Sequence, residues 1–192
     1  YKNYILPLVF YKSIDDTFAD RLEEKKDQFA GDEELARKAI TGMSVPEDYR
    51  WSDITERSEN IAPHLDEAFT ALERENDQLR GVVRVTYSDE DALNDQRLRD
   101  LVQRINAFEL STEKVEKDFL GEAYMYMVGE FAKDEGKEGG QFFTPTDVID
   151  LLVRILAKGG DTDGFEKGAS FHDPTAGSAG FLVHAASYFR NE

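Results

Sequence analysis

Apolar positions recur near the helical period through most of the first 140 residues. Ile5, Leu8, Val9, Ile14, Phe18 and Leu22 predict an opening helix. Pro7 is expected in its first turn, where a missing N–H costs little. Asp32 to Ile40 reads as a short second helix ended by Gly42, and Val45 to Ser58 as a loop holding Pro46 and the only Trp, Trp51. Leu65, Ala68, Phe69, Leu72 and Leu79 predict one long amphipathic helix, and Val82, Val83, Val85 and Tyr87 a brief extended segment. Ser88 and Asp91 have the N-cap and N3 spacing of a further helix that turns Leu98, Leu101, Val102 and Ile105 inward. Ser111 is the expected cap of another, with Phe119, Leu120, Ala123, Tyr124, Met127, Val128 and Phe131 on one face.

The pattern then changes. Lys133 to Gly140 is charged, contains three Gly and reads as a mobile linker, so the expected domains are 1–138 and 139–192. After it, Thr144 fits an N-cap, Pro145 the N1 position and Asp147 the first turn. Val148, Leu151, Leu152, Ile155 and Leu156 are expected along one helical face, which Gly159-Gly160 ends. Ala169 to His172 reads as a short strand, Asp173 to Gly180 as a tight loop and Phe181 to Phe189 as a helix. The predicted fold class is a mainly α N-terminal domain followed by the start of an α/β, Rossmann-like domain. That second domain is incomplete, because one parallel strand cannot bury itself without neighbours. The chain begins Tyr1-Lys2-Asn3 without Met and stops within an expected helix, so it reads as part of a longer protein.

Composition narrows the choice. Of 192 residues, 23 are Lys or Arg and 40 Asp or Glu, a formal net charge of −17. Residues 1–140 hold 19 basic and 33 acidic residues, and residues 141–192 hold 4 and 7, so the helical part carries most of the charge. A self-sufficient nucleic-acid patch is excluded, since phosphate binding needs Lys and Arg to displace counterions. Cys is absent, which removes disulfides, thiolate metal sites and Cys nucleophiles and suits a reducing cytosol. No apolar run approaches the length of a membrane span, and no signal-peptide pattern opens the chain.

Two segments carry candidate chemistry. In 169–189, Asp173 closes the strand, Gly177 and Gly180 permit steep turning, and the N–H groups of the new helix face a ligand. Such a turn holds the polar end of a nucleotide-like cofactor, or is a plain loop shaped by Pro and Gly. The phosphate-loop pattern is unmet because no Lys follows Gly180, which counts against a nucleotide hydrolase. Gly139 to Pro145 is either a second cofactor element or a capped helix start with two core aromatics. Asp161 to Gly164 fails the calcium-loop pattern, His64, His172 and His184 lack metal spacing, and Ser178 is not in a nucleophile elbow.

Together GGQFFTP (139–145) and DPTAGSAGF (173–181) resemble the modification subunit of Type I restriction-modification systems. That family carries G-[EQ]-[FY]-[FY]-T-P before its first methyltransferase strand and then D-P-x-x-G-[ST]-[GA]-G-F. Upstream, Tyr1 to Asp16, Arg50-Trp51-Ser52-Asp53 and Asp118 to Tyr124 resemble landmarks of its helical domain in the same order, so the resemblance spans the chain. It implies a cytoplasmic enzyme that transfers methyl from S-adenosylmethionine to the adenine N6 group in duplex DNA. Gln141, Phe142, Phe143, Thr144, Pro145 and Thr146 would fold over the cofactor's methionine portion, the Phe pair as apolar cover and Thr144 toward its carboxylate. Asp173 would lie near the cofactor's amino group, and Gly177, Ser178 and Ala179 would pass beneath it. The implied partners are a specificity subunit, a second modification subunit and a restriction subunit, with no membrane. Many members have Cys at the position of Ala176 and Gly at that of Ala179. The family's N-P-P-[FY] motif, which presents the target base, is absent: Pro7, Pro46, Pro63, Pro145 and Pro174 are never adjacent. No catalytic residue or metal ligand is therefore assigned, and the chain alone is expected to be inactive. The alternative is a non-catalytic helical module for assembly with a DNA-specificity subunit.

Overall fold

The computed structural model describes residues 2–83, 85–89, 93–115, 123, 126, 144–159, 170–176 and 179–190. The chain divides into two compact units, 1–117 and 118–192. The expected 138/139 boundary, the expected 133–140 linker and most of the helix expected over Phe119 to Phe131 lie outside the described residues.

The first unit is helical. Its elements are α1 (Lys2–Gln28), α2 (Glu33–Ala39), α3 (Trp51–Glu56), α4 (Ile61–Glu75) and α5 (Asp95–Asn106), with 3-10 turns at Glu47–Tyr49 and Asp77–Leu79. α1 is central and touches α2, α3 and α5. Its Leu8, Tyr11, Phe18 and Leu22 are buried on the apolar face, against a core that includes Leu65, Phe69, Leu72, Leu98 and Val102. Burial of each large side chain contributes about 1.5–3 kcal/mol.

An aromatic chain runs through this core. Tyr11 meets Phe69 edge-on at 5.1 Å, Phe69 stacks on Tyr87 at 5.9 Å, and Tyr4 lies 5.7 Å from Tyr87. The phenols are satisfied: Tyr11 donates to the Tyr49 carbonyl at 2.6 Å and Tyr87 to the Tyr4 carbonyl at 2.8 Å. Burial pushes both phenols above their ordinary pKa, helped by the charge of Asp15 at Tyr11 and of Asp66 at Tyr87.

Several expectations need correction. Pro7 lies in the second turn of α1, where it leaves the carbonyl four residues back without an amide. The 45–58 stretch is not a loop throughout: it holds the 47–49 turn and α3, started by Asp53 Oδ2 accepting from the Arg50 amide at 3.1 Å. α4 stops at Glu75. The Asn76 amide group there donates to the carbonyls of Leu72 and Ser44 and accepts from Ser44 N–H, so Leu79 falls in a separate 3-10 turn. The residues described in 82–87 form no strand; Asp66 holds them to α4 by accepting from Tyr87 N–H at 2.6 Å. Ser88 does not cap α5. It bonds Asp66 instead, and Asn94 caps α5 by accepting from Arg97 N–H at 3.0 Å. Leu98, Val102 and Ile105 are buried, whereas Leu101 is half-buried. Ser111 Oγ accepts from Glu113 N–H at 3.3 Å and so opens a turn.

The second unit contains α6 (Thr146–Gly159) and α7 (Gly180–Arg190). Among the described residues there is no strand, so this unit shows two packed helices and the α/β architecture stays an expectation. Ala169 lies outside the described residues, and Ser170 to His172 are not assigned to a strand. The packing face of α6 also differs from expectation. Ile149 and Val153 are buried against Ala185 of α7, with Phe171, Phe181, Tyr188 and Phe189 around them. Val148, Leu151, Leu152, Ile155 and Leu156 are 42–57% exposed.

Candidate cofactor site

α6 begins one position later than the sequence suggests. The Pro145 carbonyl accepts from Val148 N–H at 2.9 Å and Ile149 N–H at 3.1 Å, so Pro145 stands at the cap, Thr146 is the first helical residue and Thr144 precedes the cap. Pro suits this place because it has no N–H to leave unpaired. Thr144 and Pro145 are exposed, and Asp147 lies in the first turn, where the helix dipole favours a negative charge.

The second segment starts at Phe171, whose ring stacks on Phe189 of α7 at 5.1 Å and 22°. That contact holds the chain two residues before Asp173. Asp173 Oδ1 then accepts from Thr175 N–H at 2.9 Å and from Thr175 Oγ1 at 3.1 Å, which closes the turn over Pro174. Ala179 N–H donates to the Ala176 carbonyl at 2.6 Å, and the Ala179 carbonyl accepts from Val183 N–H at 3.0 Å. Ala179 is thus the cap of α7. Its φ of +63° lies in the left-handed region, which L-residues other than Gly, Asn and Asp rarely enter.

α6 and α7 pack against each other. His184 Nδ1 lies 2.9 Å from Asp150 Oδ1, and each residue is the fifth of its helix. At 1.5 Å rise per residue, each start lies about 6 Å along its own axis from that contact. The start of α6 carries Thr144, Pro145 and Thr146, and the start of α7 follows Asp173 and Ala179. Gln141, Phe142, Phe143, Gly177 and Ser178 lie outside the described residues. The Asp150–His184 pair was not foreseen from sequence, since 34 residues separate partners that show no motif. Among the described residues no three His, Asp or Glu side chains are placed to hold a metal ion.

The chemistry of these segments matches the two ends of a zwitterionic ligand. Two helix N-termini offer N–H donors and positive partial charge, and Asp173 offers a carboxylate to an ammonium group. The comparisons define the class. Residues 115–192 match the N-6 DNA methylase family, and residues 1–105 match the HsdM N-terminal domain. The chain is 28% identical over 212 aligned residues to the Type I restriction enzyme MjaIX methylase subunit of Methanocaldococcus jannaschii, covering all of this chain and 36% of that protein. It is 32% identical over 136 residues to the HindI methylase subunit of Haemophilus influenzae, covering 67% of this chain and 28% of that one. A 68-residue stretch is 40% identical to the MpnII methylase subunit of Mycoplasma pneumoniae, covering 35% of this chain and 12% of that protein. The chain belongs to the methylase subunit family of Type I restriction enzymes. It spans about a third of the length of the first two relatives. No helix among the described residues is long and apolar enough to cross a membrane.

Proposed function

We propose that this chain is the helical domain and the opening of the catalytic domain of a site-specific DNA adenine-N6 methyltransferase that uses S-adenosylmethionine. The observation that supports the reading is the contact of Asp150 with His184, which packs together the two helices that the two cofactor-like segments open. In this reading Asp173 holds the cofactor's ammonium group. Thr144 and the first N–H groups of α6 face its carboxylate, the Gln141-Phe142-Phe143 segment covers its methionine portion, and the Gly177-Ser178-Ala179 segment passes beneath it. The cofactor supplies an activated methyl group on sulfonium sulfur. The exposed apolar stripe of α6, from Val148 to Leu156, supports the Rossmann-like reading, because a helix that lies on a sheet needs such a face.

The residues that present the target adenine are not in this sequence, since N-P-P-[FY] is absent. The 192-residue chain on its own therefore transfers no methyl group. The complete subunit acts with a specificity subunit that reads the DNA, a second methylase subunit and a restriction subunit, in the cytoplasm. The domain limits are 1–138 and 139–192. Binding calorimetry on the complete subunit tests the assignment: S-adenosylmethionine binds, Asp173→Ala weakens it at least about tenfold, the loss of one charge-assisted contact, and ATP does not compete. Binding of ATP alone, or an unchanged affinity in Asp173→Ala, overturns it.

A further inference from the structure

Residues 109–115 cross α1 as they leave the helical unit, and polar side chains fasten them there. Ser13, Asp16, Thr17 and Asp20 follow the i, i+3, i+4, i+7 spacing and so share one face of α1. Ser13 Oγ donates to the Leu110 carbonyl at 2.7 Å, and Leu110 N–H donates to Asp16 Oδ2 at 2.8 Å, so both main-chain groups of one residue are held. Thr112 N–H donates to Thr17 Oγ1 at 2.9 Å, while the Thr17 hydroxyl proton goes to the Ser13 carbonyl at 2.7 Å. Lys114 Nζ lies 3.1 Å from Asp20, Arg21 pairs with Glu113 at 3.4 Å, and Lys12 neutralises Asp16 from one turn back. Backbone-to-backbone bonds of the segment among the described residues are local turn bonds, from Lys114 and Val115 N–H to the Ser111 carbonyl.

We propose that residues 109–115 are a detachable strap, a hydrogen-bonded clasp on α1 that sets where the chain leaves the helical unit and opens without unfolding the helical core. The strap lies mostly between the two stretches that match known families, 1–105 and 115–192, near the end of the first compact unit. Only Leu110 and Ser111 in it are fully buried, and the apolar residues of α1 that build the core follow a different line, Leu8, Tyr11, Phe18 and Leu22. Opening the clasp exchanges protein hydrogen bonds for water with little apolar exposure, so its free energy lies below that of global unfolding.

Hydrogen exchange on the 192-residue chain tests this, with Ser13→Ala/Thr17→Val as the variant. Both changes remove clasp atoms, and Ala at position 13 raises helix propensity. In the unaltered chain the Leu110 and Thr112 amides are protected yet exchange faster than those of Leu65 to Leu72 in α4. In the double variant they accelerate at least about tenfold while α4 is unchanged. Ser13→Ala alone, which removes only the bond to the Leu110 carbonyl, gives a smaller acceleration at the same amides. The proposal is overturned if residues 110 and 112 exchange together with α4, if the variants leave their rates alone, or if the double variant unfolds the helical unit.

Discussion

Three residues show how far side-chain environment departs from residue type. Asp15 is buried in the first unit and is held by Arg50, whose Nε lies 2.5 Å from Oδ1 and whose guanidinium sits 5.1 Å from the centre of the Phe18 ring. Arg50→Ala leaves that carboxylate buried and unpaired, so urea unfolding should show a loss of about 3 kcal/mol. Arg50→Met with Asp15→Asn should restore much of it, because the charge goes with its partner. His64, buried on α4, stacks on Tyr49 at 5.2 Å; burial, then the nearby Arg57, lowers its pKa. A depressed His contributes stability that is complete above its unfolded value, near 6.5, and is lost as pH falls through the folded value. The helical unit should therefore weaken below about pH 6.5, and His64→Phe should flatten that part of the pH–stability curve; an unchanged slope would contradict this. Ala179 shows the cost of a left-handed φ without Gly. Ala179→Gly should stabilise the second unit by several tenths of a kcal/mol to about 1, the relief of strain less the added freedom of the unfolded chain. A lower melting temperature would contradict it.

A short element such as α2 was legible as a helix from Asp32 to Ile40, and the structure adds its cap, Asp32 accepting from Leu35 N–H at 3.1 Å. Elements were least legible where a side chain made a long-range bond in place of a local one. Ser88 has cap spacing but serves Asp66, and Asn76 ends α4 because Ser44, 32 residues away, takes its amide. α6 failed for another reason. Seven of the nine positions from Val148 to Leu156 are apolar, so periodicity alone could not choose the face that meets α7. Both sides of the helix are apolar, and the structure packs Ile149 and Val153 inward. Ile149→Ala should cost about 2–4 kcal/mol, whereas Leu151→Ala, at 57% exposure, should stay within about 0.5 kcal/mol. Equal losses in calorimetric unfolding would place the face wrongly. The candidate site was legible as two motifs, but the Asp150–His184 contact that pairs their helices needed coordinates.

At the scale of the molecule, the net charge of −17 argues against an autonomous DNA binder and leaves room for the subunit of one. Acidic residues dominate the helical part, so this chain alone should show no measurable binding to duplex DNA at physiological salt; a submicromolar, salt-sensitive shift in gel mobility would contradict that. The chain belongs to the methylase subunit family, while the cofactor and the target base are the proposal. The most direct test is mass spectrometry of nucleosides from duplex DNA treated with S-adenosylmethionine and the complete subunit assembled with its specificity subunit. The account predicts N6-methyladenine from the unaltered complex and its loss in Asp173→Ala. Methylated cytosine, no methylated base, or undiminished N6-methyladenine in Asp173→Ala would contradict it.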